Sequence, residues 1–446
     1  MAVSYEAARG WNLLTDATER QGVTREVATR LRPVAVAAAA ATLLLLLTTS
    51  VRFGIGSMSR PPVMVDSAAL PQVVHGWFYQ DPHRTSSLIW PSAGRFATEG
   101  TPHALMFACY AAAVFGCCFA LLRIVARLAA VDAAGLMAGA LLIGLTWLDS
   151  AYAVLSNAAI AGGSVTAAQA ATALVALSLA CALDGSLGVA VALLGVAFDI
   201  ESAVALWGIA GVAGASVALA RDGAPVGRAW LRGGICALVL AMPALAWWGW
   251  AIAGHGGLAG DSAAWLGLVA PGRILAWSVP LQSWVLFGCT VVLGLSAFSV
   301  LGPDARAACG AFVGLLGVFV LGCLLPLLTD SPLVAILRPM AADTLLQLLA
   351  AAAAVAVVLR DLPGGGGVLR VALSVAIAVC LLLHPYSLPL AALAMLTRAA
   401  AAHGEMLGLE RRIRDCDQAT LGRVALVVVV VAGLAGAAVR SGLLLR

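Results

Sequence analysis

The chain has 446 residues, 62% of them hydrophobic and 11% charged, with a mean hydropathy of +0.99. Soluble domains average roughly 45–50% apolar and about 25% charged residues, so no soluble core could hide this much apolar surface. The chain reads as an all-α polytopic membrane protein. Its 26 bases and 22 acids give a formal net charge of +4. Every base is Arg, which excludes Schiff-base chemistry and a Walker lysine. The composition also excludes a nucleic-acid binder, a secreted disulfide scaffold and a soluble enzyme on a single anchor.

In chain order, residues 1–32 form a polar arm with Arg9, Arg20, Arg25, Arg30 and Arg32, and no cleavable signal peptide. Apolar runs long enough to span, or nearly so, follow at 33–50, 103–122, 134–148, 164–183, 203–220, 234–253, 274–301, 308–328, 341–359 and 423–439. Two stretches, 186–200 and 370–397, are short and broken by polar residues or Pro. Each reads as a pair of half-length helices meeting at a polar turn. The ten cysteines include no CxxC pair, and most lie in apolar runs as small buried hydrophobes.

Arginine placement orients the chain. Arg123, Arg127, Arg221, Arg228, Arg232, Arg360, Arg370, Arg398, Arg411, Arg412, Arg414 and Arg423 share the side of the N-terminal arm, taken as cytoplasmic. The opposite loops are then 51–102, 149–163, 199–202, 254–273 and 329–340. This requires 370–397 to cross twice with His384 at its outer tip, for about thirteen spans; a single crossing gives about twelve and leaves five Arg outside. The expected division is an arm at 1–32, a transmembrane domain at 33–397, and a cytoplasmic amphipathic segment plus a final span at 398–446. The absence of Lys suits a GC-rich bacterial genome and a multi-pass protein of the bacterial cytoplasmic (inner) membrane.

The outer loop 51–102 is the most informative segment. Connections longer than about 12–15 residues are usually functional or disordered. This one carries Asp66, His75, Asp81, His83, Arg84, Arg95 and Glu99 together with Trp77, Phe78, Tyr79 and Trp90. It holds too many aromatics for disorder, and one or two short surface helices are expected in it. A carboxylate just beyond the first span can take a proton from an attacking hydroxyl. Asp66 and Asp81 are the catalytic candidates. Asp66 lies nearer the membrane, whereas His83 and Arg84 can pair with Asp81. Arg84, Arg95 and Arg338 are candidates for gripping a phosphate with a planar fork. His83, His384, Asp199 and Glu201 complete the substrate-binding candidates. No second acidic pair supports a divalent metal, and no other cofactor is indicated.

The motifs also carry a resemblance. Asp66-Ser-Ala-Ala-Leu-Pro71, then Phe78-Tyr79-Gln80-Asp81-Pro82, then the segment starting His103-Ala-Leu-Met-Phe resemble the opening of membrane glycosyltransferases of the GT-C superfold, in particular bacterial members. Asp199-Ile-Glu201 through Trp207 lies where such proteins often have a His-Pro turn, which is replaced here. Leu337-Arg338-Pro339 through Asp343 and Gln347 resembles their late outer segment with its Arg. The resemblance implies a sugar donor on a polyprenyl phosphate, drawn from the membrane lipids, and an inverting transfer on the outer face. A lipid or glycoconjugate transporter, and an inactive GT-C-like subunit acting with a protein partner, are the alternatives. A transporter calls for ionisable residues near mid-membrane in both halves, and spans 234–253, 308–328 and 341–359 show almost none.

Overall fold

The computed structural model describes residues 31–48, 103–146, 166–254, 279–328, 339–362, 368–383 and 387–402. Twelve helices lie among them: α1 (Leu31–Thr48), α2 (His103–Ala129), α3 (Ala133–Thr146), α4 (Ala167–Leu183), α5 (Leu187–Ile200), α6 (Ser202–Arg221), α7 (Val226–Gly254), α8 (Leu281–Leu301), α9 (Arg306–Leu328), α10 (Asp343–Asp361), α11 (Val368–Leu383) and α12 (Leu388–Ala402). The described residues contain no strand. Six stretches are long and apolar enough to cross a membrane, and the 48-residue stretch Leu281–Leu328 holds two helices, α8 and α9. The protein is an all-helical, multi-pass membrane protein.

Helices form here because only a helix satisfies its own backbone within an apolar medium. The hydroxyls inside them are satisfied the same way. Thr42, Thr172 and Ser216 each donate 2.7 Å to the carbonyl four residues back. Thr166 starts α4 with a capping box, its hydroxyl accepting from the Gln169 amide while the Gln169 side chain accepts from Thr166 N–H. Gly185 (φ 82°) and Gly223 (φ 85°) end α4 and α6 in the left-handed region. There Ser186 N–H donates to Cys181 O and Ala224 N–H donates to Leu219 O. The chain thereby reverses in a few residues.

Packing pairs give the direction of each helix. Gly116 faces Ala173 and Arg123 reaches Asp184, so α2 and α4 are parallel. Gly208 faces Val175 and Gly211 faces Leu179, so α6 runs with α4. Gly294 faces Ala350 and Arg360 donates to Leu301 O, so α10 runs with α8. By contrast, Phe287 stacks 4.2 Å from Phe319 and Phe298 lies 5.5 Å from Phe312, so α9 folds back antiparallel on α8. The helices alternate in direction. One end of the bundle therefore collects Arg123, Arg127, Arg221, Arg306, Arg360, Arg370 and Arg398, and is called here the arginine end. Helix α2, which follows residues 49–102 in the chain, begins at the opposite end.

α10 is the centre of the bundle. Of its span, 94% is buried, and Ala350 through Val358 are all at 0% exposure. It has no polar face between its ends, and its alanines let neighbours approach from every side. Glycines bring two other pairs into backbone contact. A Cβ at Gly214 on α6 would run into the carbonyl oxygen of Gly310 on α9, and one at Gly195 on α5 would stand 2.6 Å from Ala237 Cα on α7. Without a hydrophobic drive between helices in lipid, this closeness recovers the dispersion energy that holds them together.

Two details depart from the sequence reading. Segment 186–200 is one continuous helix, α5, not two halves, because its polar residues fall at its end. Segment 370–397 does divide, into α11 and α12. Helix α12, however, continues through Arg398 to Ala402, so Arg398 belongs to the bundle and not to the connection after it. The loop 51–102, the segment 403–446 with its apolar run, and most of the tryptophans noted above lie outside the described residues.

Candidate functional site

The candidate site is the end of the bundle opposite the arginines. Helix α5 stops there because Glu201 is extended (φ −152°, ψ 99°). Glu201 N–H still donates to Ala197 O at 2.9 Å, and Glu201 O accepts from Ala205 N–H at 3.2 Å, so the break leaves the backbone paired. This one-residue junction sets Asp199, Glu201 and Ser202 side by side in the chain. Asp199 is buried and Ser202 is fully buried, while Glu201 is half-buried. Glu201 is the N-cap of α6, where the helix dipole favours a negative charge. The hydroxyl of Ser202 is buried without a hydrogen-bond partner. Leaving such a group unsatisfied costs about 1–3 kcal/mol.

A third carboxylate reaches the same end. The turn Pro339–Ala342 packs against α6 and α9 and delivers Asp343 as the first residue of α10. Asp343 is fully buried, with the Thr344 hydroxyl 3.5 Å from its Oδ1. It too stands at a helix N-terminus, where the dipole offsets part of the cost of burying charge. Gln347, one turn further along α10, is also buried. Asp199, Glu201, Asp343 and Gln347 each have an interaction partner. Carboxylates so placed can accept hydrogen bonds from hydroxyl groups or take a proton from one. Among the described residues no group of three His, Cys, Asp or Glu side chains is arranged to hold a metal ion.

Of the residues singled out from the sequence, Asp199 and Glu201 are therefore found together at this end. Asp66, Asp81, His83, Arg84, Arg95, Arg338 and His384 lie outside the described residues. Their described neighbours in the chain end or begin at this end of the bundle. Pro339 directly follows Arg338, Leu383 directly precedes His384, and α1 and α2 flank the loop with Asp66 and Asp81. Asp343 is a buried residue of this end that the sequence reading does not select. Its signal was an acid at the start of a nearly uniform apolar run.

The arginine end holds a different buried cluster. Arg398 on α12 donates to Asp361 from Nε at 2.6 Å and from Nη2 at 2.9 Å. The Ser374 hydroxyl on α11 donates to the same carboxylate at 3.0 Å. The pair is almost fully buried, with 3% and 7% of the two side chains exposed. It ties α10, α11 and α12 together. Elsewhere at this end, Arg123 and Asp184 pair at 2.5 Å and Arg306 and Asp222 at 3.5 Å.

No protein-family model, curated protein or solved structure matches the chain.

Proposed function

We propose that the protein is a GT-C-type membrane glycosyltransferase. It takes a sugar from a polyprenyl-phosphate-type lipid and transfers it to an acceptor on the outer face of a bacterial cytoplasmic membrane. The observation that carries this reading is where the charges lie. Among the described residues every Asp, Glu and Arg sits at or near a helix end, and the buried acids Asp199 and Asp343 lie at the end where α2, which follows the long polar loop in the chain, begins. A transporter is expected to carry ionisable groups near the middle of its spans, along the path of its cargo. Chemistry at one face of the bundle needs them where they stand. In this reading Asp66 takes the proton from the acceptor hydroxyl, with Asp81 the other candidate. Arg338 with Arg84 and Arg95 neutralises the departing lipid phosphate. The Asp199–Glu201 junction and Asp343 hold hydroxyls of the sugar or acceptor.

The test is transfer of radiolabel from polyprenyl-phosphate-linked sugars to membrane acceptors, in cells with and without the protein. Label should move only when the protein is present. Asp66→Asn should lower the rate roughly 10²–10⁴-fold while donor binding persists. Undiminished transfer in both Asp66→Asn and Asp81→Asn would remove the reading.

A further inference from the structure

We propose that the outward face of α7 is a binding surface for an anionic glycerophospholipid, with its headgroup on Arg228 and Arg232. Only 17% of the α7 span is buried, against 94% for α10. The buried residues are Gly233, Ala241 and Ala244, on the side that meets α5. The other side is a continuous exposed strip: Arg228, Leu231, Arg232, Ile235, Leu238, Val239, Met242 and Leu245. These positions recur every three or four residues and so share one helix face.

The strip has the polarity of a lipid. Its first two turns are basic, and the following turns are wholly apolar. From Ile235 to Leu245 it runs about 15 Å along the axis at 1.5 Å per residue. That equals half of a hydrocarbon core of about 30 Å, the depth of one leaflet. The headgroup end lies at the arginine end of the bundle, because α7 starts directly after the Asp222-Gly223 turn.

Charge balance selects the headgroup. Arg228 and Arg232 are one turn apart, a like-charge spacing that is unfavourable on a helix unless an anion is shared. Helix α7 contains no Asp or Glu at all. The nearby acids in the chain are engaged elsewhere: Asp222 pairs with Arg306 and Asp184 with Arg123. Among the described residues neither Arg228 nor Arg232 has a carboxylate partner. Exposed Arg221 lies at the same end and adds to the field. A phosphodiester with a net negative charge supplies what is missing, and a zwitterionic headgroup does not.

The experiment uses the full-length protein in mild detergent, read by native mass spectrometry with phosphatidylglycerol or phosphatidylcholine added. Phosphatidylglycerol should be retained in preference. The double variant R228Q/R232Q should weaken its retention about twenty-fivefold, because each basic residue beside an anionic headgroup contributes about fivefold. Both side chains are exposed, so the variant should fold, as circular dichroism will show. The variant L238S/V239S should also weaken retention with every charge in place. R127Q, which removes an exposed arginine on α2 at the same end, should leave it unchanged. Three results would overturn the proposal. One is equal retention by R228Q/R232Q and the parent. Another is an equal loss in R127Q. The third is cross-linking between copies through Ile235→Cys that added phosphatidylglycerol does not suppress, which would make a second copy the occupant. None of these bears on glycosyl transfer, which is assayed separately.

Discussion

Arg398 and Asp361, 37 residues apart, meet in a buried two-point ion pair at the junction of three helices. Each partner alone would be an isolated charge at the end of an apolar helix. Together, with the Ser374 hydroxyl on the same carboxylate, they make the α11–α12 hairpin part of the bundle. Removing one partner of a buried pair costs about 3–5 kcal/mol, because the other is left uncompensated. Asp361→Asn and Arg398→Ala should each lower thermal stability by that order in detergent. Arg398→Lys should fall between, since a point charge replaces the planar fork. The double replacement Asp361→Leu with Arg398→Leu should recover much of the loss. A pair worth nothing would show as single variants that unfold with the parent.

Close glycine packing makes a sharper prediction. Gly310→Leu or Gly214→Leu must push α6 and α9 apart, because backbone of the other helix occupies the space. Such overpacking costs at least about 1–3 kcal/mol, and aggregation in size-exclusion chromatography is the expected readout. Gly227, in the first turn of α7, has nothing within 4 Å of an added Cβ. Gly227→Ala should be neutral, or stabilising by up to about 1 kcal/mol.

Arg338 is expected to hold the lipid phosphate. Arg338→Ala should weaken binding of a polyprenyl-phosphate donor with the fold intact, and Arg338→Lys should restore it only in part. Donor titration of purified protein measures both. Unchanged binding in the two variants would leave Arg338 as an interfacial anchor.

Orientation is tested by accessibility. Ser86→Cys should react with a membrane-impermeant maleimide on intact cells, and Ser4→Cys only after lysis, each compared with the protein lacking the substitution. The reverse pattern would put the loop with Asp66 and Asp81 inside, and the outer-face reaction would go with it.

Much of the architecture is local and therefore legible in the chain. Apolar runs place helices because helix formation in lipid is decided by roughly twenty consecutive residues, and the runs at 203–220 and 308–328 match α6 and α9 closely. The break near residues 384–386 is marked by Pro385 between polar neighbours, and the structure divides there into α11 and α12. The break expected inside 186–200 fails for the same kind of reason. Asp199 and Glu201 terminate a helix, while nothing within Leu187–Phe198 interrupts one.

What the sequence by itself determined is thus the class, most of the described helices and the alternation of their ends, which follow from hydropathy and charge along the chain. Only the tertiary structure decided which helix is central. Hydropathy does not distinguish α10 from its neighbours. The choice follows from small side chains that fit on all sides at once, a property of the assembled bundle. The same holds for the contact of Gly214 with Gly310 and for the pairing of Arg398 with Asp361. Arg398 reads from its neighbours as the start of a basic connector, and only a carboxylate from a distant helix makes its burial affordable. Asp343 likewise looks like an ordinary first-turn acid until the Pro339–Ala342 turn is seen to press it between helices, where lipid and protein exclude the water that would otherwise solvate it.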